Sequence, residues 1–85
     1  MNNWEEVDYY PENSEQKAIR KKFDFKDFAT ALQFVNKVGA LAEEANHHPD
    51  INLGWGYVHV WLTSHDEHKV TEKDYSLAKA IDGLV

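Results

Sequence analysis

The sequence predicts an α+β fold: a two-layer sandwich, a four-stranded antiparallel sheet with two helices packed on one face, in the order β-β-α-β-β-α. Three observations predict it. Residues 27–45 repeat apolar side chains at three- and four-residue steps, the period of a helix. Residues 57–64 alternate, with Val58, Val60 and Leu62 on one parity and Tyr57, His59, Trp61 and Thr63 on the other, the period of a strand. Each half of the chain runs strand, strand, helix, and elements with one apolar face bury it against a second layer.

Residues 3–9 alternate weakly, with Trp4, Val7 and Tyr9 among acids, and read as a first strand. Pro11-Glu12-Asn13-Ser14 is a turn signal. Residues 17–25 read as a second strand, with Ile19, Lys21, Phe23 and Phe25 on one parity and Ala18, Arg20, Lys22 and Asp24 on the other, so the two form a hairpin. Trp4 reads as a core or interface plug. Arg20-Lys21-Lys22, the only basic cluster, reads as a solvated strand edge.

In the 27–45 helix, Phe28, Ala31, Leu32, Val35, Val38 and Ala42 form the apolar stripe, and Phe34, Leu41 and Ala45 widen it. The stripe exceeds what a one-sided surface helix needs, so part of it is expected to meet a second helix or a partner chain. Gly39 lies mid-helix at a cost of about 1 kcal/mol relative to Ala, which a close approach to a neighbouring element would explain. Asn46 is the exit residue, and Pro49 prevents continuation. Ile51-Asn52-Leu53 is a short strand and Gly54-Trp55-Gly56 a turn into the 57–64 strand. Thr71-Glu72-Lys73-Asp74 is a helix-start signature, followed by a buried stripe of Leu77, Ala78, Ile81 and Leu84 or Val85.

The 85 residues, 42% hydrophobic, fit a single domain over 1–85 with a modest core, so a homodimer or homotetramer is expected. No apolar run approaches the roughly 20 residues that span a bilayer. No basic-then-apolar leader opens the chain. The absence of cysteine excludes disulfides, thiolate catalysis and Cys-based zinc sites, and a cytoplasmic location is expected. A net charge of -6 argues against non-specific nucleic-acid binding.

The chemistry concentrates in Glu43-Glu44-Ala45-Asn46-His47-His48-Pro49, with a further histidine at His65 on the end of the best strand. Histidine exchanges protons near neutral pH, and three of the five histidines can meet at one place. Glu43 precedes His47 by four residues, which puts it on the same helical face. There it either orients the imidazole or makes an ordinary surface pair. His59 and His68 read as a solvated strand face and a loop. The His-His-Pro run lacks the i,i+4 pair of helical zinc sites, and Ser64 sits in no strained elbow. What remains is metal-free general acid–base chemistry beside aromatic walls from Trp55 and Trp61. Such a site suits a planar, polar, heteroaromatic substrate.

The pattern Phe23-x-Phe25-x-Asp27-Phe28, Ala42-Glu43-x-x-Asn46-His47-His48-Pro49-Asp50, Val58-x-Val60-x-Leu62-Thr63-Ser64-His65-Asp66 and Thr71-x-x-Asp74 resembles the pterin-4a-carbinolamine dehydratase family, over roughly residues 19–82. The resemblance implies loss of water from a 4a-hydroxytetrahydropterin to give quinonoid dihydropterin. This step recycles the pterin of aromatic amino acid hydroxylases and uses no cofactor beyond the substrate itself. It implies that His47 and His65 are the acid–base pair, with His48 catalytic or holding the substrate and Glu43 orienting the histidines. It further implies that Trp55 walls the pocket beside Pro49 and Ser64, and that Asp74 supports the pocket or contacts the pterin. Relatives of this kind also serve as dimerisation cofactors of transcription factors or as Rubisco assembly factors, so a non-catalytic binding module is the alternative, and a hydroxylase or other protein partner is implied. The family's extra N-terminal helix has no counterpart before the first strand here. Glu67-His68-Lys69-Val70 replaces a loop usually rich in Gly, with Lys69 where a positive φ would be uncomfortable, and Gly54 and Gly56 beside Trp55 are expected to loosen the pocket wall.

Overall fold

The computed structural model describes residues 3–10 and 13–85. Strand β1 (Glu5–Tyr10) pairs with β2 (Asn13–Asp24). Helix α1 (Phe28–Ala45) follows, then β3 (Asp50–Leu53), β4 (Tyr57–Leu62) and helix α2 (Glu72–Asp82). The sheet is antiparallel throughout, in the order β1-β2-β4-β3. The expected element order and two-layer architecture are those observed.

The second strand starts four residues earlier than its alternation indicated. Asn13 and Ser14, read as turn residues, belong to β2, and Pro11-Glu12 lies outside the described residues. The polar start of β2 is held by Gln16, 7% exposed, whose amide donates to the Thr63 hydroxyl at 3.4 Å. That hydroxyl donates in turn to the Lys17 carbonyl at 2.7 Å.

Arg20-Lys21-Lys22 is not a strand edge, because β2 is paired on both sides. Each cation instead has its own partner: Arg20 on Glu5, Lys22 on Asp24 at 3.4 Å, and Lys21 on Asp82 at 2.7 Å. Lys21 has the parity of the core and covers the Phe23 ring at 4.9 Å, a cation–π contact.

Ile19, Phe23, Val58, Val60 and Leu62 from the sheet pack against Ala31, Phe34 and Val38 of α1 and Leu77, Ala78 and Ile81 of α2. Phe34 sits between Phe23 and Phe25, with ring centroids 4.7 and 5.0 Å away. Trp4 closes one end of the core as a plug, and its indole N–H donates to both Asp82 carboxylate oxygens at 3.1 and 3.0 Å. Leu84 packs against the core, whereas Val85 is exposed. The wide stripe of α1 is only partly used, since Phe28 and Leu32 stay 50% and 40% exposed.

Three glycines carry different meanings. A Cβ on Gly54 would lie 2.1 Å from the Tyr57 ring, and one on Gly56 would lie 2.9 Å from the Phe25 carbonyl oxygen. The turn therefore needs both for close approach, rather than being loosened by them. Gly39 has nothing within 4 Å of a Cβ position, so no close approach explains it. In the loop after β4 the left-handed residue is His68, φ 55°, and not Lys69. Lys69 pairs with Ser64 in a short bridge.

On the open face of the sheet His59 stacks on Trp61 at 5.7 Å, and its Nδ1 is buried without a hydrogen-bond partner among the described residues. Burial pushes the imidazole below its ordinary 6.5, and the Arg20 and Lys22 charges add to the shift. The unfolded chain then takes up a proton at higher pH than the folded chain. This group's contribution is intact above about pH 6.5 and is lost as pH falls from there through the folded value. Urea midpoints of His59→Gln should accordingly fall less steeply than wild type on acidification below that pH. Gly39→Ala should raise stability by about 0.5–1 kcal/mol, and Ile81→Ala should lower it by about 2–5 kcal/mol, both measured by urea unfolding.

Candidate functional site

Three segments converge at one end of the sheet: the exit of α1, the residues after β4 and the first turn of α2. Helix α1 ends at Asn46, which takes the left-handed conformation (φ 51°, ψ 43°). Asn tolerates this conformation better than most residues. The turn lets the His47 N–H bond back to the Ala42 carbonyl at 3.1 Å, a helix-terminating bond. It also swings the His47 side chain toward α2, where Nε2 lies 2.5 Å from Asp74 Oδ1.

Asp74 is fully buried, 0% exposed, on the first turn of α2. Its Oδ2 accepts from the Thr71 N–H at 2.8 Å, as a capping-box acid does. The same oxygen accepts from the Ser64 hydroxyl at 2.9 Å. Ser64 Oγ lies 2.7 Å from Thr71 Oγ1. A hydroxyl has one proton, so Ser64 gives its own to Asp74 and accepts from Thr71. A carboxylate only accepts, so His47 Nε2 carries the proton in its bond to Asp74, and Nδ1 is the nitrogen left to exchange one.

The expected pairing of Glu43 with His47 does not form. Glu43 bonds His48 Nε2 instead, because the left-handed turn at Asn46 ends the helical register on which the four-residue spacing relies. Both partners are largely exposed, with side chains 77% and 57% accessible, so water screens the pair.

His47, His48, Ser64 and His65, with Asn46 and Lys73, line a depression of about 220 Å³. His47 and Lys73 also border a larger groove of about 490 Å³ between the two helices, whose apolar residues include Leu41, Ala45, Leu77 and Ala80. The structure therefore brings all three expected histidines together. Pro49, half-buried, leads from His48 into β3 without lining the depression. Asp74 has no accessible surface, which excludes the expected alternative of direct contact with a bound molecule. Trp55 does not wall the site: it is 73% exposed in the β3–β4 turn, at the far end of the two strands from His48 and His65. Trp61 likewise lies on the open sheet face beside His59.

Two residues join the site that sequence reasoning missed. The Tyr9 hydroxyl donates to Asp50 Oδ2 and lies 3.4 Å from His65 Nε2, the two rings meeting edge to face at 5.2 Å. Asp50 directly follows the His-His-Pro run, but Tyr9 is 56 residues from His65 and carries no local signal. Among the described residues, no group of three or more His, Asp or Glu is placed to hold a metal ion, and no helix is long and apolar enough to cross a membrane.

The family model for pterin 4 alpha carbinolamine dehydratase matches residues 1–84. A protein of Rubrobacter xylanophilus named "Putative pterin-4-alpha-carbinolamine dehydratase" is 43% identical over 81 residues, 95% of this chain and 69% of its own length. One of the same name from Koribacter versatilis is 51% identical over 67 residues, 79% of this chain and 71% of its own. Among solved structures, a transcriptional coactivator/pterin dehydratase from Brucella melitensis superposes with a TM-score of 0.85 at 34% identity, covering 98% of this chain and 82% of that one. A pterin dehydratase-like protein described as a RuBisCO assembly factor in the alpha-carboxysome superposes with a TM-score of 0.76 at 28% identity, covering 98% and 89%.

The geometry separates the two acidic residues by energy. Asp74→Ala orphans the donors of His47, Ser64 and Thr71 in a buried place and should cost about 3 kcal/mol or more. Glu43→Gln alters only a screened pair and should leave the urea midpoint within error of wild type.

Proposed function

The chain belongs to the pterin 4 alpha carbinolamine dehydratase family, and from that premise we propose that it eliminates water from a 4a-hydroxytetrahydropterin to give quinonoid dihydropterin. The observation that carries the reading is the imidazole of His47, tied to the buried Asp74 carboxylate and sharing one depression with His48 and His65.

In this reaction the C4a–O bond breaks, the hydroxyl leaves as water after receiving a proton, and the N5 proton is lost to a base. One proton is delivered and one removed, so the step needs two proton-exchanging groups and no electron acceptor. His47 and His65 supply them. The one acting as acid enters the step with Nδ1 protonated as well as Nε2 and gives that proton to the leaving hydroxyl. The other enters with Nδ1 unprotonated and takes the proton from N5. Asp74 holds His47 through Nε2, which aims Nδ1 at the substrate, the arrangement by which a buried carboxylate orients a working histidine. His48, half-exposed on the rim, holds the pterin edge. The histidines and the hydrogen-bonding rim suffice for this chemistry without a metal or organic cofactor. Ser64 acts through Asp74, since its hydroxyl donates into the carboxylate network.

A second reading has its own support. The solved neighbours are named as a coactivator and as an assembly factor, and α1 presents exposed Phe28 and Leu32 to solvent. On that reading the helix face binds a protein, or another copy of this chain, and the histidines are idle.

Stopped-flow dehydration of chemically generated 4a-hydroxytetrahydropterin separates the two. Wild type should exceed the spontaneous rate, and His47→Ala and His65→Ala should each lower turnover by roughly 10²–10⁴-fold with the circular dichroism unchanged. A wild-type rate equal to the spontaneous one removes the enzymatic reading and leaves the binding module.

A further inference from the structure

His47 has a carboxylate behind it, and His65 has one too, at one remove. Tyr9 lies on β1 and Asp50 opens β3, the two edges of the sheet, with β2 and β4 between them. An irregularity lets them meet. Pairing of β1 with β2 is regular through Asp8↔Lys17 and resumes at Tyr10↔Asn13, so one residue of β1 faces three of β2. That one residue is Tyr9. Such irregularities bend a strand and re-aim the side chain at the break. The Tyr9 ring is thereby laid edge-on against His65, with its hydroxyl between Asp50 Oδ2 and His65 Nε2.

The proton count then leaves one arrangement. A phenol has a single proton, and an ionised carboxylate can only accept. The Tyr9 proton goes to Asp50, so toward His65 the hydroxyl can only accept. We infer that Tyr9 and Asp50 are positioning residues that hold His65 with its proton on Nε2, leaving Nδ1 as the lone pair for proton transfer. What that lone pair is used for rests on the dehydratase reading; the tautomer itself does not. The two histidines are then presented alike, each anchored through Nε2, one directly by a buried carboxylate and one through a half-buried phenol.

Long-range ¹H–¹⁵N spectra of the labelled chain read this directly, at about pH 8.5, two units above the ordinary histidine value. Wild-type His65 should show the Nε2–H form alone. Tyr9→Phe should relax it toward the mixture of free imidazole. Asp50→Ala frees the Tyr9 proton to turn toward His65 and should move the ring toward Nδ1–H. In the dehydration assay Tyr9→Phe should lower kcat by about tenfold with KM little changed, short of the roughly 10²–10⁴-fold attached to losing the imidazole itself. An Nδ1–H or mixed form in wild type overturns the inference, and so does a tautomer indifferent to both substitutions. A chain with no dehydratase activity removes the reading of the preceding section, while the spectra still decide this one.

Discussion

The carboxylate of Asp74 is the constraint on which the site depends. It has no accessible surface, and a buried carboxylate is tolerated only when its oxygens are filled by donors. The donors come from three separate elements: the imidazole beyond the end of α1, the hydroxyl after β4 and the backbone N–H that opens α2. Its place on the first turn of a helix, where the N–H groups and the helix dipole favour negative charge, lowers the cost further. His47 is therefore oriented by the same contacts that make the buried charge tolerable, and it cannot turn away without orphaning an oxygen.

The same helix is held at its other end by a second acid. Asp82 sits in the last turn of α2, where the dipole disfavours a negative charge. Lys21, its cationic partner, and the Trp4 indole compensate. Between the two acids, Leu77, Ala78 and Ile81 lie in the core. Helix α2 is thus fixed by polar contacts at both ends and apolar burial between them. That rigidity is what a site of separately donated groups requires, since small displacements of a proton-transfer group reduce its effect.

Much of this was legible in the sequence because periodicity is local. The stripe Ala31, Val38 and Ala42 and the alternation Val58, Val60 and Leu62 identify their elements from a few neighbouring residues, and these residues form the core. The convergence of His47, His48 and His65 was legible because the first two flank a helix end and the third a strand end. The errors came where one residue's conformation redirects the chain. The left-handed Asn46 moved Glu43 from His47 to His48, a change that no spacing rule anticipates. Trp55 matched by position along the chain but sits at the wrong end of a hairpin. The basic triplet looked like an edge because strand order is a non-local property, and only pairing shows β2 to be internal. Tyr9 was invisible for the same reason.

The separation between His47 and Asp74 also has a consequence in time. They are 27 residues apart, and the carboxylate lies in the last helix to be synthesised among the described elements. A growing chain that has released α1 and the whole sheet still holds His47 as an ordinary solvated imidazole at a helix end. The bond between His47 and Asp74 arises only when α2 emerges and docks. Synthesis of the histidines and orientation of His47 are therefore separated by one structural event. A nascent or truncated chain lacking that helix has every histidine, but its His47 has no carboxylate to orient it.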